Sequence, residues 1–300
     1  MRLGIDFGGT NLKVGVFDQH GKVHAFHELK VSSINRNNFA ENLVREVVDL
    51  VKPFKFEKGG FCSKGMIDTQ AGMVLNDIGA GSLLVGGPIG QLFSEELGIP
   101  FTVDNDARAY ALGEDQFGAG KPYNVTVCMT LGTGVGCTLI KDGKPFIGSD
   151  PLTGLLGGHL TIDRNGPVCS CGSRGCLELY CSATALHKRI EHEMPIAGRL
   201  DPLPEFFRLG AVGEEPYAGL LKEFQANLSI GIVNVIHAYG PEAVVLGGGV
   251  MKSAEIILPR VVKQVSAMAW TYPREKVKIL PSLLGNKAAA MGMAFHPVLK

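Results

Sequence analysis

Apolar positions recur along the chain in two periods, and the alternation between those periods outlines an α/β protein. Leu3-Gly4-Ile5 reads as a buried strand, Leu12 to Phe17 as a second and Lys22 to Leu29 as a third. Phe39, Leu43, Val44, Val47, Val48 and Val51 then fall three or four apart, which predicts a helix over Asn38 to Val51 capped by Asn37 or Asn38. Gly59 to Cys62 leads into the loop Ser63 to Asp68, and Gln91 to Leu97 is a short helix closed by Gly98 and Pro100. Phe101-Thr102-Val103 is a strand that runs through Asp104-Asn105-Asp106 into a helix from Ala107 to Phe117. Gly118 to Pro122 reads as a linker. Beyond it, Asn124 to Met129 and Cys137 to Ile140 are strands, and Ala183 to Glu193 and Tyr217 to Tyr239 are helices. Pro202 to Pro204 is a break between those helices, and Gly240-Pro241 ends the second of them. A strand at Ala243 to Leu246, a helix reaching about Met268, a strand at Val277 to Leu280 and a helix at Asn286 to Phe295 finish the chain.

Length turns this string of elements into a domain expectation. Three hundred residues are long for one core and comfortable for two domains. The division is 1–118, completed by the terminal helix 286–300, and 119–285. Apolar residues make up 45% and charged residues 19%, which describes a soluble globular chain. The formal net charge is zero, so no electrostatic attraction to nucleic acid or an acidic membrane is expected. No signal peptide and no apolar run long enough to span a bilayer is present. Seven cysteines, three of them clustered, suit a reducing compartment, so a cytoplasmic location is expected.

Glycine clusters at strand ends carry the first chemistry. The first and second strands flank Asp6-Phe7-Gly8-Gly9-Thr10-Asn11, a turn whose backbone N–H groups suit phosphate oxygens, with Thr10 and Asn11 as side-chain donors. Asp6, at the strand end, is placed to hold a hydrated Mg2+, and Lys13 joins this group as a nucleotide-binding residue. The device recurs about 125 residues later, where Thr130-Leu131-Gly132-Thr133-Gly134 joins two strands. A strand follows where a dinucleotide fold needs a helix, and Gly120-Lys121 is followed by Pro122, so neither a dinucleotide fingerprint nor a P-loop is present. Two such hairpins suggest a duplicated domain with a nucleotide between the halves. Gly247-Gly248-Gly249 would let a flat base or ribose lie against backbone.

Two further clusters complete the reading. Asp104-Asn105-Asp106 puts two carboxylates and an amide at a strand-to-helix junction, where α/β proteins bind ligands. Asn105 can donate to and accept from a hydroxyl and Asp106 can accept a proton, with helix N-capping as the rival role for this cluster; Gly65 and Asp68 either line a small-ligand cleft or form a turn. His159, Cys169, Cys171 and Cys176 are spaced His-x9-Cys-x-Cys-x4-Cys with turn glycines between them. That is a donor set for one tetrahedral Zn2+, and four protein ligands make such a site structural.

Together these segments resemble the ROK family of bacterial sugar kinases and repressors. The likeness covers essentially the whole chain: DFGGTN at Asp6 to Asn11, DNDA at Asp104 to Ala107, GTGVG at Gly132 to Gly136, CSCGSRGCLE at Cys169 to Glu178 and GGG at Gly247 to Gly249. The cysteine signature is the most specific; the glycine clusters are shared with the wider actin-like ATPase superfamily. The resemblance implies a two-domain actin-like (ribonuclease H-like) fold with an interdomain cleft, ATP toward the second domain and sugar in the cleft. It implies phosphorylation of a hexose, with Asp106 as base and Asn105, His159 and Glu178 as sugar contacts, one His159 ring nitrogen serving zinc and the other a sugar hydroxyl. It also implies a homodimer or higher homo-oligomer. Members usually carry an acid three positions before the histidine, where this chain has Leu156, so an N-acetylhexosamine stands beside glucose as candidate substrate. A sugar-sensing regulator without kinase activity is the alternative from another class. Repressors of the family carry a DNA-binding domain before the first hairpin, which here starts at residue 4.

Overall fold

The computed structural model describes residues 1–76, 80–148, 156–193 and 201–299. They form two compact α/β units. The first comprises Met1–Lys121, Ile140–Thr153 and Leu284–Lys300; the second comprises Pro122–Leu139 and Gly154–Leu283.

The first unit opens with β1 (Arg2–Phe7), β2 (Asn11–Phe17) and β3 (Val23–Lys30), an antiparallel meander. It continues through α1 (Phe39–Val51), β4 (Lys58–Ser63), the small hairpin β5 (Met66–Asp68) and β6 (Met73–Asn76), α2 (Ile89–Leu97), β7 (Phe101–Asn105) and α3 (Asp106–Phe117). The sheet order is β3-β2-β1-β4-β7, with β1, β4 and β7 parallel. Leu3, Ile5 and Phe7 alternate onto one face, where they pack with Phe39, Leu43 and Val47 of α1 and Phe93 of α2. Asn38 does take the N-cap position of α1, but in the left-handed region and without a capping hydrogen bond, because Asn42 makes the local contacts to the carbonyls of Asn35 and Asn37.

In the second unit β8 (Val125–Leu131) turns back into β9 (Val135–Lys141), whose last residues pair with the stub β10 (Lys144–Pro145) inside the first unit. The chain then runs through α4 (Glu178–Cys181), α5 (Ala183–Glu193), α6 (Leu203–Ala211), α7 (Tyr217–Tyr239), β11 (Ala243–Gly247), α8 (Ala254–Met268) and β12 (Lys278–Pro281). Strand order β9-β8-β11-β12 repeats β2-β1-β4-β7: a hairpin, then two strands parallel to its first arm. Helix α6 was not expected. Prolines 202 and 204 start it rather than break the chain, since proline is tolerated in a first helical turn, and Phe206 and Phe207 bury its apolar face. Between the glycine triplet and α8 lies a 3-10 turn over Gly249–Ser253.

The chain ends in the first unit with α9 (Ala288–Ala294), which covers the second face of its sheet. This contact requires glycine: a Cβ on Gly4 would overlap the Ala290 carbonyl, one on Gly113 that of Ala288, and one on Gly292 that of Ala109. Helices α3 and α9 therefore meet at backbone distance at Ala109 and Gly113.

Candidate functional site

The Asp104-Asn105-Asp106 junction is built on a charge-neutralised buried carboxylate, with a second, half-buried carboxylate at the head of α3. Asp104 is fully buried. Its Oδ1 accepts from Arg108 Nε at 2.6 Å, Asn105 N at 2.7 Å and Thr69 Oγ1 at 3.3 Å, and its Oδ2 lies 3.0 Å from His296 Nε2. Burial alone would raise its carboxyl, but the His296 hydrogen bond and the Arg108 charge outweigh that and hold it below the ordinary value. Asn105 is the N-cap of α3: its Oδ1 accepts from Ala107 N at 2.8 Å and Arg108 N at 3.4 Å, while Nδ2 donates to the Gly65 carbonyl at 3.1 Å. Asn105 and Gly65 are thus brought together, with the amide engaged on both ends. Asp106 is the first residue of α3, half-buried, with Oδ1 2.9 Å from Ala107 N.

Beside it, a register row crosses the sheet at the strand ends: Lys13 of β2, Asp6 of β1, Cys62 of β4 and Asp104 of β7. Residues in register point to one face. Lys13 Nζ meets Asp6 Oδ2 at 2.8 Å. Burial would lower that ammonium, and the Asp6 charge and hydrogen bond more than offset it, so its value is raised. The Cys62 thiol is pushed well above its usual value by burial and by the charges of Asp6, Asp106 and Asp104, so the carboxylates converge on a neutral group. In the turn itself Gly8 N donates to Asn11 O at 3.0 Å, and Gly9 and Thr10 are exposed. Asn11 differs from the expectation of an available donor. Its Nδ2 donates to Glu28 Oε1 at 2.6 Å and its Oδ1 accepts from Lys30 Nζ at 2.9 Å, because β3 lies alongside.

The second hairpin is buttressed differently. Gly132 N donates to Gly134 O at 2.9 Å, Ala183 N to Gly132 O at 2.7 Å and Thr184 Oγ1 to Thr133 O at 2.7 Å. Glu178 Oε2 accepts from Val135 N at 2.9 Å. Gly134 leaves room for that carboxylate, and Gly158 lies where a Cβ would overlap the Val135 carbonyl. Val135, Glu178 and the chain leading to His159 are therefore in close contact. Gly247 pairs with Thr130, and Gly248, at φ +90°, lies against the Leu131 backbone, with Gly249 exposed.

His159 and the three cysteines come together as the spacing requires. Their ligand atoms all lie within 4.8 Å of one another, with Cys169 Sγ 3.5 Å from His159 Nδ1 and Cys171 Sγ 3.6 Å from Cys176 Sγ. A tetrahedron with Zn–S near 2.3 Å and Zn–N near 2.0 Å has edges of about 3.5–3.8 Å, so these separations fit a single zinc. Turn hydrogen bonds fix the loop: Cys169 N to Ser173 O at 2.8 Å and Gly172 N to Cys169 O at 3.0 Å. Among protein groups alone, burial and the neighbouring thiols push Cys176 up to about 12, a crowding of sulfur that a cation relieves. Nδ1 is the nitrogen facing the sulfurs, which leaves Nε2 on the other side of the ring.

Sequence reasoning missed His296 and Arg108, the partners of Asp104. Arg108 stands four residues after Asp104, a spacing at which opposite charges meet and which could have revealed it, whereas His296, 192 positions away, carries no local signal of pairing. No helix of the described residues is long and apolar enough to cross a membrane.

Comparison with known proteins identifies the family of the chain. A family model described as ROK family matches residues 2–296. The chain is 31% identical over 241 residues to the xylose repressor of Bacillus spizizenii, covering 78% of this chain and 59% of that protein. It is 28% identical over 314 residues to the glucokinase of Thermotoga maritima, covering 95% and 90% respectively. In fold it is similar to a ROK family glucokinase from Streptomyces griseus solved in complex with glucose and AMPPNP. That likeness has a TM-score of 0.80 at 26% identity and covers 98% of each chain.

Proposed function

We propose that this chain, which belongs to the ROK family, is an ATP-dependent sugar kinase that phosphorylates a hexose at its 6-hydroxyl. The observation that carries the proposal is Asp106, a half-buried carboxylate at the head of α3, in a chain similar over nearly its whole length to a glucokinase.

Phosphoryl transfer asks a protein for positioning and charge neutralisation more than for covalent chemistry. Asp106 accepts the proton of the attacking hydroxyl, a task for which a carboxylate needs little elevation because that proton leaves late in a loose transition state. Asn105 orders the junction and holds the Gly65 loop through its carbonyl. His159 Nε2 and the Glu178 carboxylate are the sugar contacts of the second unit; Glu178 has Oε1 remaining once Oε2 has taken Val135 N. With Gly8 N and Gly132 N spent inside their own turns, the exposed turn residues Gly9, Thr10 and Thr133 are the ones that suit phosphate oxygens, and Gly247 to Gly249 suit the base or ribose. Asp6, with Lys13 on Oδ2 and the Cys62 thiol 3.9 Å from Oδ1, would hold a hydrated Mg2+ through its water shell, which would neutralise phosphate charge. His159, Cys169, Cys171 and Cys176 would hold a structural Zn2+ that stiffens the loop presenting His159. Solution as a homodimer or higher homo-oligomer is the expected state.

Leu156 stands where the family's usual acid would contact sugar hydroxyls, which favours testing N-acetylmannosamine and N-acetylglucosamine beside glucose. The likeness to xylose repressors favours a second reading, a sugar-responsive regulator. The chain spans 59% of the length of the two Bacillus repressors.

One screen decides between them: coupled ADP release over glucose, fructose, mannose, allose and the two N-acetylhexosamines. Turnover on any of these sugars supports the kinase, and sugar binding without turnover supports the regulator. Asp106→Asn should leave sugar affinity within a few-fold and cut kcat by about a hundredfold or more. Near-normal turnover in that variant would remove Asp106 as the base.

A further inference from the structure

We infer that His296, next to the end of the chain, is a positioning residue for Asp106, acting through Asp104. The inference rests on the kinase reading above. Both members of the pair are at most 1% exposed, and Nε2 sits 3.0 Å from Asp104 Oδ2 across 192 positions of sequence.

The bonding fixes the ring. His296 Nδ1 accepts from Val298 N at 3.3 Å, so Nε2 carries the proton and donates it to Asp104. The other oxygen of Asp104 is already committed to three donors from three places: Arg108 in the first turn of α3, the backbone of Asn105, and Thr69 after β5. One carboxylate therefore ties together the strand end, the helix start, the neighbouring hairpin and the C-terminal segment. Asp106 is two residues from that carboxylate and sits on the backbone it fixes.

The donor is itself packed from behind. His296 follows α9, and α9 is pressed onto α3 and β1 through Gly292, Gly113 and Gly4, where no Cβ fits. The imidazole thus reaches Asp104 from a closely packed support. Without it, Oδ2 would be left buried without a donor, and the carboxylate would be able to rotate about its remaining partners. Rotation would move Asn105 and the first turn of α3, and with them the carboxylate that must meet the attacking hydroxyl. An error on the order of 1 Å in such a group costs up to about a hundredfold in rate.

The test compares His296→Leu with His296→Gln, whose amide can place an N–H where Nε2 is. His296→Leu should lower kcat by about tenfold or more with the KM for ATP and sugar within about twofold, and His296→Gln should recover most of the loss. A kcat within about twofold of wild type in the Leu variant, or a Gln variant no better than Leu, would overturn the assignment, as would a loss confined to KM. If the Leu variant does not fold, His296→Asn takes its place, because its shorter amide leaves the Nε2 position empty while keeping polarity. Absence of wild-type turnover would sink the kinase reading itself. The clamp is then judged by amide hydrogen exchange: faster exchange in the Leu variant confined to residues 104–112 sustains it, and unchanged exchange there ends it.

Discussion

The two glycine hairpins share a sequence plan and differ in what keeps them in place. The first is held inside its own sheet by charges: Lys13 on Asp6, and Glu28 and Lys30 on Asn11. The second is held from outside by elements that follow it in the chain, with Glu178, Ala183 and Thr184 bonded to its turn and Gly158 against its returning strand. Those same elements flank the Cys3His cluster, since Gly158 precedes His159 and Glu178 follows Cys176. A common turn can therefore draw its rigidity from local ion pairs in one unit and from a metal-sized cluster in the other.

Removing a ligand of the proposed zinc should separate the two most sharply. Cys176→Ser is expected to abolish zinc binding, read as the metal-to-protein ratio by plasma mass spectrometry. The second unit should lose stability while the first is spared. A loss of even about 5 kcal/mol, a fraction of what structural zinc supplies to small domains, would lower the melting midpoint by about 10–20 °C. An unchanged midpoint with no bound metal would show that the loop's own turn bonds suffice.

Gly158→Ala comes next. Its Cβ would meet the Val135 carbonyl, a backbone atom that cannot swing aside, so a cost of about 1–3 kcal/mol is expected in denaturant unfolding. Acid should then act on the first unit. Asp104 is held below the ordinary carboxyl value, so the stability it contributes is complete above about pH 4 and is lost as pH falls through its lowered folded value. Asp104→Asn should flatten that acid limb of the unfolding free energy, and an unaltered limb would assign it to other carboxylates. The smallest effect is expected at Gly9, which has nothing within 4 Å of where a Cβ would stand. Gly9→Ala should leave the melting midpoint within about 2 °C while raising the KM for ATP, if the turn faces phosphate as proposed. A midpoint that falls as far as in Gly158→Ala would erase the contrast.

Much of this was legible in residue order. The apolar run Leu3-Gly4-Ile5 and the three- and four-residue spacing from Phe39 to Val51 announced the sheet and helix that bury one another, while Phe7, expected in the turn, ends β1 and packs in the same core. The cysteine spacing announced a cluster whose four ligand atoms do converge, because a wrap of eighteen residues with glycine turns leaves few other arrangements. Helix α6 was hidden by its prolines, which resemble a break unless one knows that they occupy the first turn. Residue order leaves the Asp104-Asn105-Asp106 cluster between ligand binding and capping, and the structure shows Asn105 as the cap of α3.

The chain's order alone settled what depends on near neighbours: period, turn, cap and the approximate place of each donor. Folding decided which buried charge meets which partner, as with Asp104 and His296 or Glu178 and Val135. Such pairs join segments far apart in sequence, and no local pattern encodes them. Their geometry is set when helices and strands pack at backbone distance, a step at which a single missing Cβ on Gly4 or Gly292 matters as much as any charged side chain.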